Sequence, residues 1–159
     1  MKILVIYASI HHGNTKKIAD TIHKELGGKL ISFTEVSKEE VLEADLVGFG
    51  SGIYMAKFHK GLIKFVSSLP KVRNKKAFIF STAGMTQNIF LNRGHKNIRK
   101  ILNEKGFQII DEFDCLGYDS FGPLKVFGGV NKGRPDKTDL EEARKFAKKL
   151  KNNQEKVAD

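Results

Sequence analysis

Five apolar segments of strand length alternate along the chain with segments whose apolar residues recur at helical spacing. The first, KILVIYAS at residues 2–9, is a continuous run rich in β-branched residues, which is typical of a strand buried on both faces. Strands that alternate with helices form parallel sheets covered by helices on both sides. The sequence therefore predicts an α/β protein with a three-layer α/β/α, doubly wound sheet of five parallel strands. The other four strand segments are KLISF (29–33), ADLVGFGS (44–51), KAFIFST (76–82) and FQIIDEFDCL (107–116).

The helices between these strands carry boundary signals. The first predicted helix ends at the glycine pair Gly27-Gly28. Ser37 lies three residues before Glu40, which is the spacing of a capping box at the start of a short helix. At 159 residues the chain suits one domain, 1–159. Apolar stripes predict further helices at 58–69, which Pro70 ends, at about 92–104 and at 136–151.

The charge balance is strongly basic. The chain has 28 Lys+Arg against 18 Asp+Glu, a net charge of +10. Such a surface favours anionic ligands, acidic proteins or polyanions. The lysines are spread along the chain and are not interleaved with aromatic residues as in a nucleic-acid module, so nucleic acid is not an expected partner.

Several functional classes find no support in the sequence. No segment approaches the roughly 20 apolar residues that span a bilayer, and the first apolar run does not resemble a signal peptide, so we expect a cytoplasmic protein. Cys115 is the single cysteine, and we expect it to serve packing. His23, His59 and His95 are predicted to lie on helix surfaces. We find no nucleophile and base pair and no metal-ligand cluster, so no catalytic residue and no metal site is predicted.

The turn after the first strand, SIHHGNT, has the composition of an anion-binding loop. It offers side-chain donors, a glycine that lets the backbone approach closely, and the free amides of the helix that follows. An ordinary capped turn with two surface histidines is the alternative. The loop is neither a Walker loop nor a dinucleotide fingerprint. The candidate phosphate-binding residues are Ser9, His11, His12, Gly13, Asn14 and Thr15.

Two later turns at the same predicted edge of the sheet suit a flat ring. The turn after the third strand places three large apolar residues in a row beside glycine, which would form walls for an aromatic ligand, or would merely cover the next helix. The turn after the fourth strand is small and flexible, so a ring edge could meet backbone donors there. The candidate residues are Ser51, Gly52, Ile53, Tyr54 and Met55 in the first of these turns, and Ser81, Thr82, Ala83 and Gly84 in the second.

A phosphate loop and two ring-sized walls on one sheet describe a mononucleotide site. Over nearly its whole length the chain resembles the flavodoxin family, in the first turn, in ADLVGFGSGIY and in FSTAG. The resemblance implies a sheet with strand order 2-1-3-4-5, bound FMN, and low-potential electron transfer between protein partners. It also suggests that a peptide at Gly52 turns over and presents its carbonyl to a flavin nitrogen.

The sequence departs from the family pattern in three places. Three residues separate Ser9 from Gly13, where the family has two, so we expect the histidines to replace a hydroxyl near the phosphate. There is no tryptophan to stack on the flavin. Tyr54 is the candidate for one face of the ring. The long segment 117–136 is the candidate for the other face, through Tyr118, Asp119, Phe121 or Phe127.

The third departure is the charge, since electron-carrier flavodoxins are typically acidic. A basic surface would favour acidic redox partners and stabilise the negative charge of a reduced flavin. The alternative function is an FMN-dependent oxidoreductase acting on a small substrate, because GSGIYMAKFHKGLIKFV resembles the second loop of quinone-linked protoporphyrinogen oxidases. A phosphoacceptor domain would need acidic residues where the chain has Ser9 and Gly50-Ser51.

Overall fold

The protein folds around one parallel sheet with helices on both faces, as predicted. The computed structural model describes residues 1–84, 88–120 and 122–158. The five long strands lie in the order β2-β1-β3-β5-β6, which is the predicted 2-1-3-4-5 order of the main strands, and a short strand β4 pairs antiparallel with β3. The strands are β1 (Ile3–Ala8), β2 (Lys29–Ser32), β3 (Leu46–Tyr54), β4 (Lys57–Phe58), β5 (Lys75–Ala83) and β6 (Phe107–Leu116).

The helices divide into two layers, each with its own hydrophobic core. Buried residues of α1 and α5 pack on one face of the sheet, and those of α2, α3 and α4 pack on the other. No helix within the described ranges combines the length and the apolar character needed to cross a membrane. The helices are α1 (Asn14–Leu26), α2 (Lys38–Glu43), α3 (Lys60–Ser67), α4 (Asn88–Glu104) and α5 (Lys137–Ala158), and a short 3-10 helix covers Gly122–Phe127.

Two glycines in β3 make room for two phenylalanine rings of β5. Gly48 and Gly50 are the register partners of Phe78 and Phe80. A Cβ atom at position 48 would lie 2.2 Å from Cζ of Phe78, and one at position 50 would lie 2.0 Å from Cζ of Phe80. Both rings are fully buried. The glycines therefore let these rings lie across the centre of the sheet.

The predicted helix boundaries are confirmed in part. The Ser37 hydroxyl accepts from the Glu40 amide at 3.2 Å, and the Glu40 carboxylate accepts from the Ser37 amide at 2.9 Å, so the capping box is present. Gly27 caps α1 with φ of 76°. The predicted start of the third helix at Phe58 is wrong, because Phe58 lies in β4 and the helix begins at Lys60. Cys115 is buried, and burial raises the pKa of its thiol.

The β3–β4 hairpin contains a turn that the sequence does not signal. Tyr54 pairs with Lys57, so Met55 and Ala56 form a two-residue turn. Both have positive φ, 49° and 61°, a conformation that favours glycine or asparagine. Because neither residue is of that type, the turn is strained at the position where the sheet meets the predicted site turn that follows the third predicted strand.

We expect Ala56→Gly to stabilise the protein. Relief of the left-handed strain outweighs the extra entropy of glycine in the unfolded chain, so the free energy of unfolding should rise by about 0.5–1 kcal/mol in urea titrations. Ala44→Gly is the matched control, because Ala44 has φ of −70° and is buried, and it should destabilise the chain. A loss of stability in Ala56→Gly would contradict the strain argument.

Candidate functional site

A cleft opens at the carboxyl ends of β1, β3 and β5, where open parallel sheets bind their ligands. Its cavity volume is about 200 Å³. The structure brings together residues from all three predicted turns and from the segment after β6. The lining consists of His11, Asn14 and Thr15, residues 52–55, residues 82–84, and Tyr118 and Asp119.

Two side-chain atoms of the first turn are buried without a partner in the described part of the chain. They are Ser9 Oγ and Asn14 Oδ1. Asn14 Nδ2 donates to the Tyr118 carbonyl at 2.7 Å, so only the oxygen of this amide lacks a partner. Buried polar atoms are almost always hydrogen-bonded, and leaving one unpaired is costly. These two atoms therefore indicate a place where a ligand supplies hydrogen bonds.

The amino end of α1 has the character of an anion site. Gly13 occupies the cap position with φ of 65°, no side chain caps the helix, and its first turn contains no acidic residue. The free amides and the positive end of the helix dipole are therefore not neutralised by the described protein groups. An anionic ligand would satisfy both.

The two histidines of this turn have different surroundings. His11 is exposed and lines the cleft, with its ring edge-on to Tyr54 at 6.3 Å between centroids. His12 is also exposed, but Nε2 lies 2.7 Å from Ser120 Oγ and the ring lies 4.2 Å from that of Tyr118. His12 is not among the lining residues, and it connects the first turn to the segment after β6.

The ring-sized part of the cleft is formed by the end of β3. The Tyr54 side chain lies over Gly52, where a Cβ atom would come within 2.9 Å of the phenolic oxygen. Burial of the Tyr54 side chain raises the pKa of its phenol. Ile53 packs against Gly94 of α4 as well as lining the cleft, and Met55 is 88% exposed at the rim.

The end of β5 is fixed by contacts with the first turn and with the later segment. Thr82 Oγ1 lies 2.9 Å from Thr15 Oγ1, and both hydroxyls are buried. The Gly84 carbonyl accepts from Asn131 Nδ2. A Cβ atom at Gly84 would come within 2.5 Å of an Asp119 carboxylate oxygen, so the absence of a side chain lets this segment close over the strand end.

Segment 117–136 is more ordered than its length suggests. It contains the 3-10 helix and an antiparallel bridge between Asp119 and Val130. Tyr118 and Asp119 line the cleft, whereas Phe127 is 84% exposed and is not among the lining residues. Their contact with a ring stays a prediction. Phe121 lies outside the described residues.

Two predicted site residues have hydroxyls bonded within the protein. Ser51 Oγ donates to the Gly52 carbonyl at 2.6 Å and accepts from the His59 amide at 2.9 Å. Ser81 Oγ lies 2.7 Å from His95 Nε2. Both serines are fully buried and neither lines the cleft. Their contact with a ligand stays a prediction.

The predicted position of His95 on a helix surface is wrong, because its side chain lies inside the protein. It is 3% exposed, and Nδ1 lies 2.6 Å from Glu112 Oε2, which Arg99 also contacts. The result is a chain of hydrogen bonds from Ser81 on β5 through α4 to β6, which is buried at Ser81 and His95 and partly exposed at Glu112. The signal was present in the sequence, because His95 precedes Ile98 and Leu102 at the spacing of one helical face.

The comparisons with known proteins agree with this architecture. Residues 4–119 match the family model described as Flavodoxin domain. The chain belongs to the flavodoxin family. An uncharacterized protein of Methanocaldococcus jannaschii is 47% identical over 153 residues, which is 96% of this chain and all of that relative. Membership of the flavodoxin family implies a flavin cofactor, of which FMN is typical.

Solved flavodoxin structures share the fold at low sequence identity. A flavodoxin from the domain Archaea superposes with a TM-score of 0.73 at 23% identity, covering 96% of this chain and 98% of that one. Flavodoxin 2 from Bacillus cereus superposes with a TM-score of 0.68 at 20% identity, covering 92% and 95%. At these identities the likeness concerns the fold alone.

The partly buried hydrogen bonds around Glu112 predict a pH dependence of stability. Burial by itself would raise the pKa of Glu112, but hydrogen bonds from His95 and Arg99 outweigh it and lower the pKa to about 2. A lowered folded-state pKa stabilises the protein above the unfolded value near 4.5, and this contribution is lost as pH falls towards 2. We therefore expect Glu112→Gln to lose stability at pH 7 and to show a shallower decline between pH 5 and pH 2.

Chemical denaturation across this pH range measures the effect. Glu104→Gln is the control, because Glu104 is exposed and its nearest cation, Lys100, is 3.9 Å away. Parallel stability curves for the wild-type protein and Glu112→Gln would contradict the assignment.

Proposed function

We propose that this flavodoxin binds FMN in the cleft and transfers electrons between protein partners. The observation that carries the proposal is the pair of unpartnered buried atoms, Ser9 Oγ and Asn14 Oδ1, at the turn that begins α1. FMN would supply one- or two-electron transfer through its isoalloxazine ring, and the residues of the cleft would hold and orient that ring.

The residues of the first turn fit the phosphate end of such a ligand. Ser9 Oγ is a hydroxyl that can donate to a phosphate oxygen, and the amides at the start of α1 add further donors. Asn14 Oδ1 is an acceptor only, so it cannot bind a phosphate dianion. It suits a hydroxyl of the ligand, and a sugar-alcohol chain next to the phosphate would supply one.

The residues of the other turns fit a ring. Tyr54 would cover one face of the ring, and Tyr118, which lines the same cleft, would cover the other. Gly52 and Gly84 line the cleft at the end of β3 and just after β5, and their amides would bond ring heteroatoms, because both carbonyls already accept from Ser51 and Asn131. Together these residues would orient the ligand and exclude water from one side of it.

We expect Ser9→Ala to weaken FMN binding without weakening riboflavin binding. Removing a hydrogen bond to the charged phosphate should reduce FMN affinity about tenfold. Riboflavin has no phosphate, so its affinity should not change. Titration of apoprotein with each flavin, followed by quenching of flavin fluorescence, measures both affinities. Ser67→Ala on the exposed face of α3 is the control and should change neither.

Two results would overturn the proposal. If the apoprotein does not bind FMN at all, the proposed cofactor is wrong. If Ser9→Ala weakens FMN and riboflavin binding equally, the phosphate does not bind at the first turn. Rapid turnover of a quinone by the reconstituted protein, with electrons taken from a small substrate, would favour the oxidoreductase alternative over the carrier.

The basic charge predicts a shifted reduction potential. A net charge of +10 stabilises the negative charge of the fully reduced flavin, so its formation should require a less negative potential than in acidic flavodoxins. Potentiometric titration of the reconstituted protein at low ionic strength measures the value. A potential as negative as in acidic members of the family would contradict this expectation.

A further inference from the structure

The net charge comes from one continuous part of the chain. Residues 46–103 contain eleven lysines and arginines and no aspartate or glutamate. Since the whole chain has 28 Lys+Arg and 18 Asp+Glu, the remainder has 17 basic residues against 18 acidic ones and is nearly neutral. The excess of positive charge therefore belongs to the segment from β3 to α4, where the basic residues lie on β4, α3, β5, α4 and the connection before β5.

Helices α3 and α4 place much of this charge on one face of the molecule. Both pack against the same side of the sheet. Each exposes two lysines four residues apart, Lys60 and Lys64 on α3 and Lys96 and Lys100 on α4. Like charges at this spacing repel each other and destabilise the helix. An anionic partner bound to this face would relieve the repulsion.

A shallow groove next to the cleft concentrates these features. We call it the basic groove; it is lined by Met55, Ala56, Lys57, Lys96, Asn97 and Lys100. Lys57 and Lys96 are exposed and form no ion pair within the described ranges, and Lys100 is 3.9 Å from Glu104. Met55 lines both the basic groove and the cleft, so the two adjoin at this side chain.

We propose that the basic groove is the docking site of a redox protein that presents a cluster of acidic side chains. The proposal rests on the proposed function, because a partner seated on Met55 lies at the rim of the flavin cleft. One electron passes between the flavin and the partner's redox centre, so one is oxidised as the other is reduced, and no covalent bond changes. Charge complementarity selects the partner and speeds the encounter.

The composition of the basic groove favours an acidic protein over a nucleic acid. Its exposed apolar contact is a methionine, a flexible side chain that adapts to irregular protein surfaces. Among the residues that the structure describes, the lining includes no aromatic ring on which a base could stack and no arginine that could hold a phosphate with two bonds. A protein surface that combines carboxylates with an apolar centre matches both parts of the groove.

An acidic [2Fe–2S] ferredoxin serves as the probe, with a basic cytochrome c as the charge control. Amide chemical shifts of the ¹⁵N-labelled holoprotein, recorded during titration at low salt, should change around residues 55–57 and 96–100 with ferredoxin and not with cytochrome c. The double variant Lys57→Gln/Lys96→Gln should weaken ferredoxin binding about tenfold, and salt should weaken binding to the wild-type protein.

The matched control removes the same charge from the other face. Lys148→Gln/Lys151→Gln alters two exposed lysines of α5 and should change the affinity less than twofold. Equal losses in both double variants would show attraction to net charge alone and would overturn the docking site. Tighter binding of a 20-base-pair DNA duplex to the same lysines would also overturn it.

The experiment separates this proposal from the proposed function. Titration of the apoprotein with the same ferredoxin tests the basic groove without the flavin. A protein that retains FMN but shows no difference between the two double variants disproves the docking site alone. A protein that binds ferredoxin through Lys57 and Lys96 but never binds FMN disproves the proposed function and leaves the basic groove in place.

Discussion

The packing of Phe78 and Phe80 against Gly48 and Gly50 determines how the centre of the sheet is built. A side chain at either glycine would collide with a buried ring, so strands β3 and β5 can approach in this register only because β3 alternates glycine with larger residues. The register also sets where the two strands end. Gly52 then lies beside Thr82, and the turns that follow both strands face the same cleft.

Much of this architecture could be predicted from the sequence because its signals are local. Continuous apolar runs predict strands buried on both faces, and the Ser37–Glu40 spacing predicts a capping box whatever the rest of the chain does. Phe58 was placed in the wrong element because the Met55-Ala56 turn lacks the glycine or asparagine that normally marks a tight hairpin. Without such a residue, the apolar spacing of α3 predicts a helix that begins too early, at Phe58.

The site was less predictable where it depends on contacts between distant parts of the chain. The three turns were identified by composition, but the bond from Asn14 to Tyr118 and that from His12 to Ser120 join residues more than a hundred positions apart. Nothing in either local sequence indicates its partner. The Ser81–His95–Glu112 contacts also join distant parts of the chain. A histidine in a helix is by default predicted to lie on the surface, and only the apolar residues on the same helical face indicate that His95 is buried.

The uneven distribution of charge along the chain leaves one part of the surface with an unbalanced positive field. Residues 46–103 contain no aspartate or glutamate, and they supply Met55 at the rim of the cleft and the three lysines of the basic groove. In the electric field of an oppositely charged protein, this molecule turns its basic side towards the other protein before the two surfaces make contact. At physiological salt this torque acts over roughly 8 Å, the Debye length, so it begins to turn the rim of the cleft towards an approaching surface only within the last few water layers.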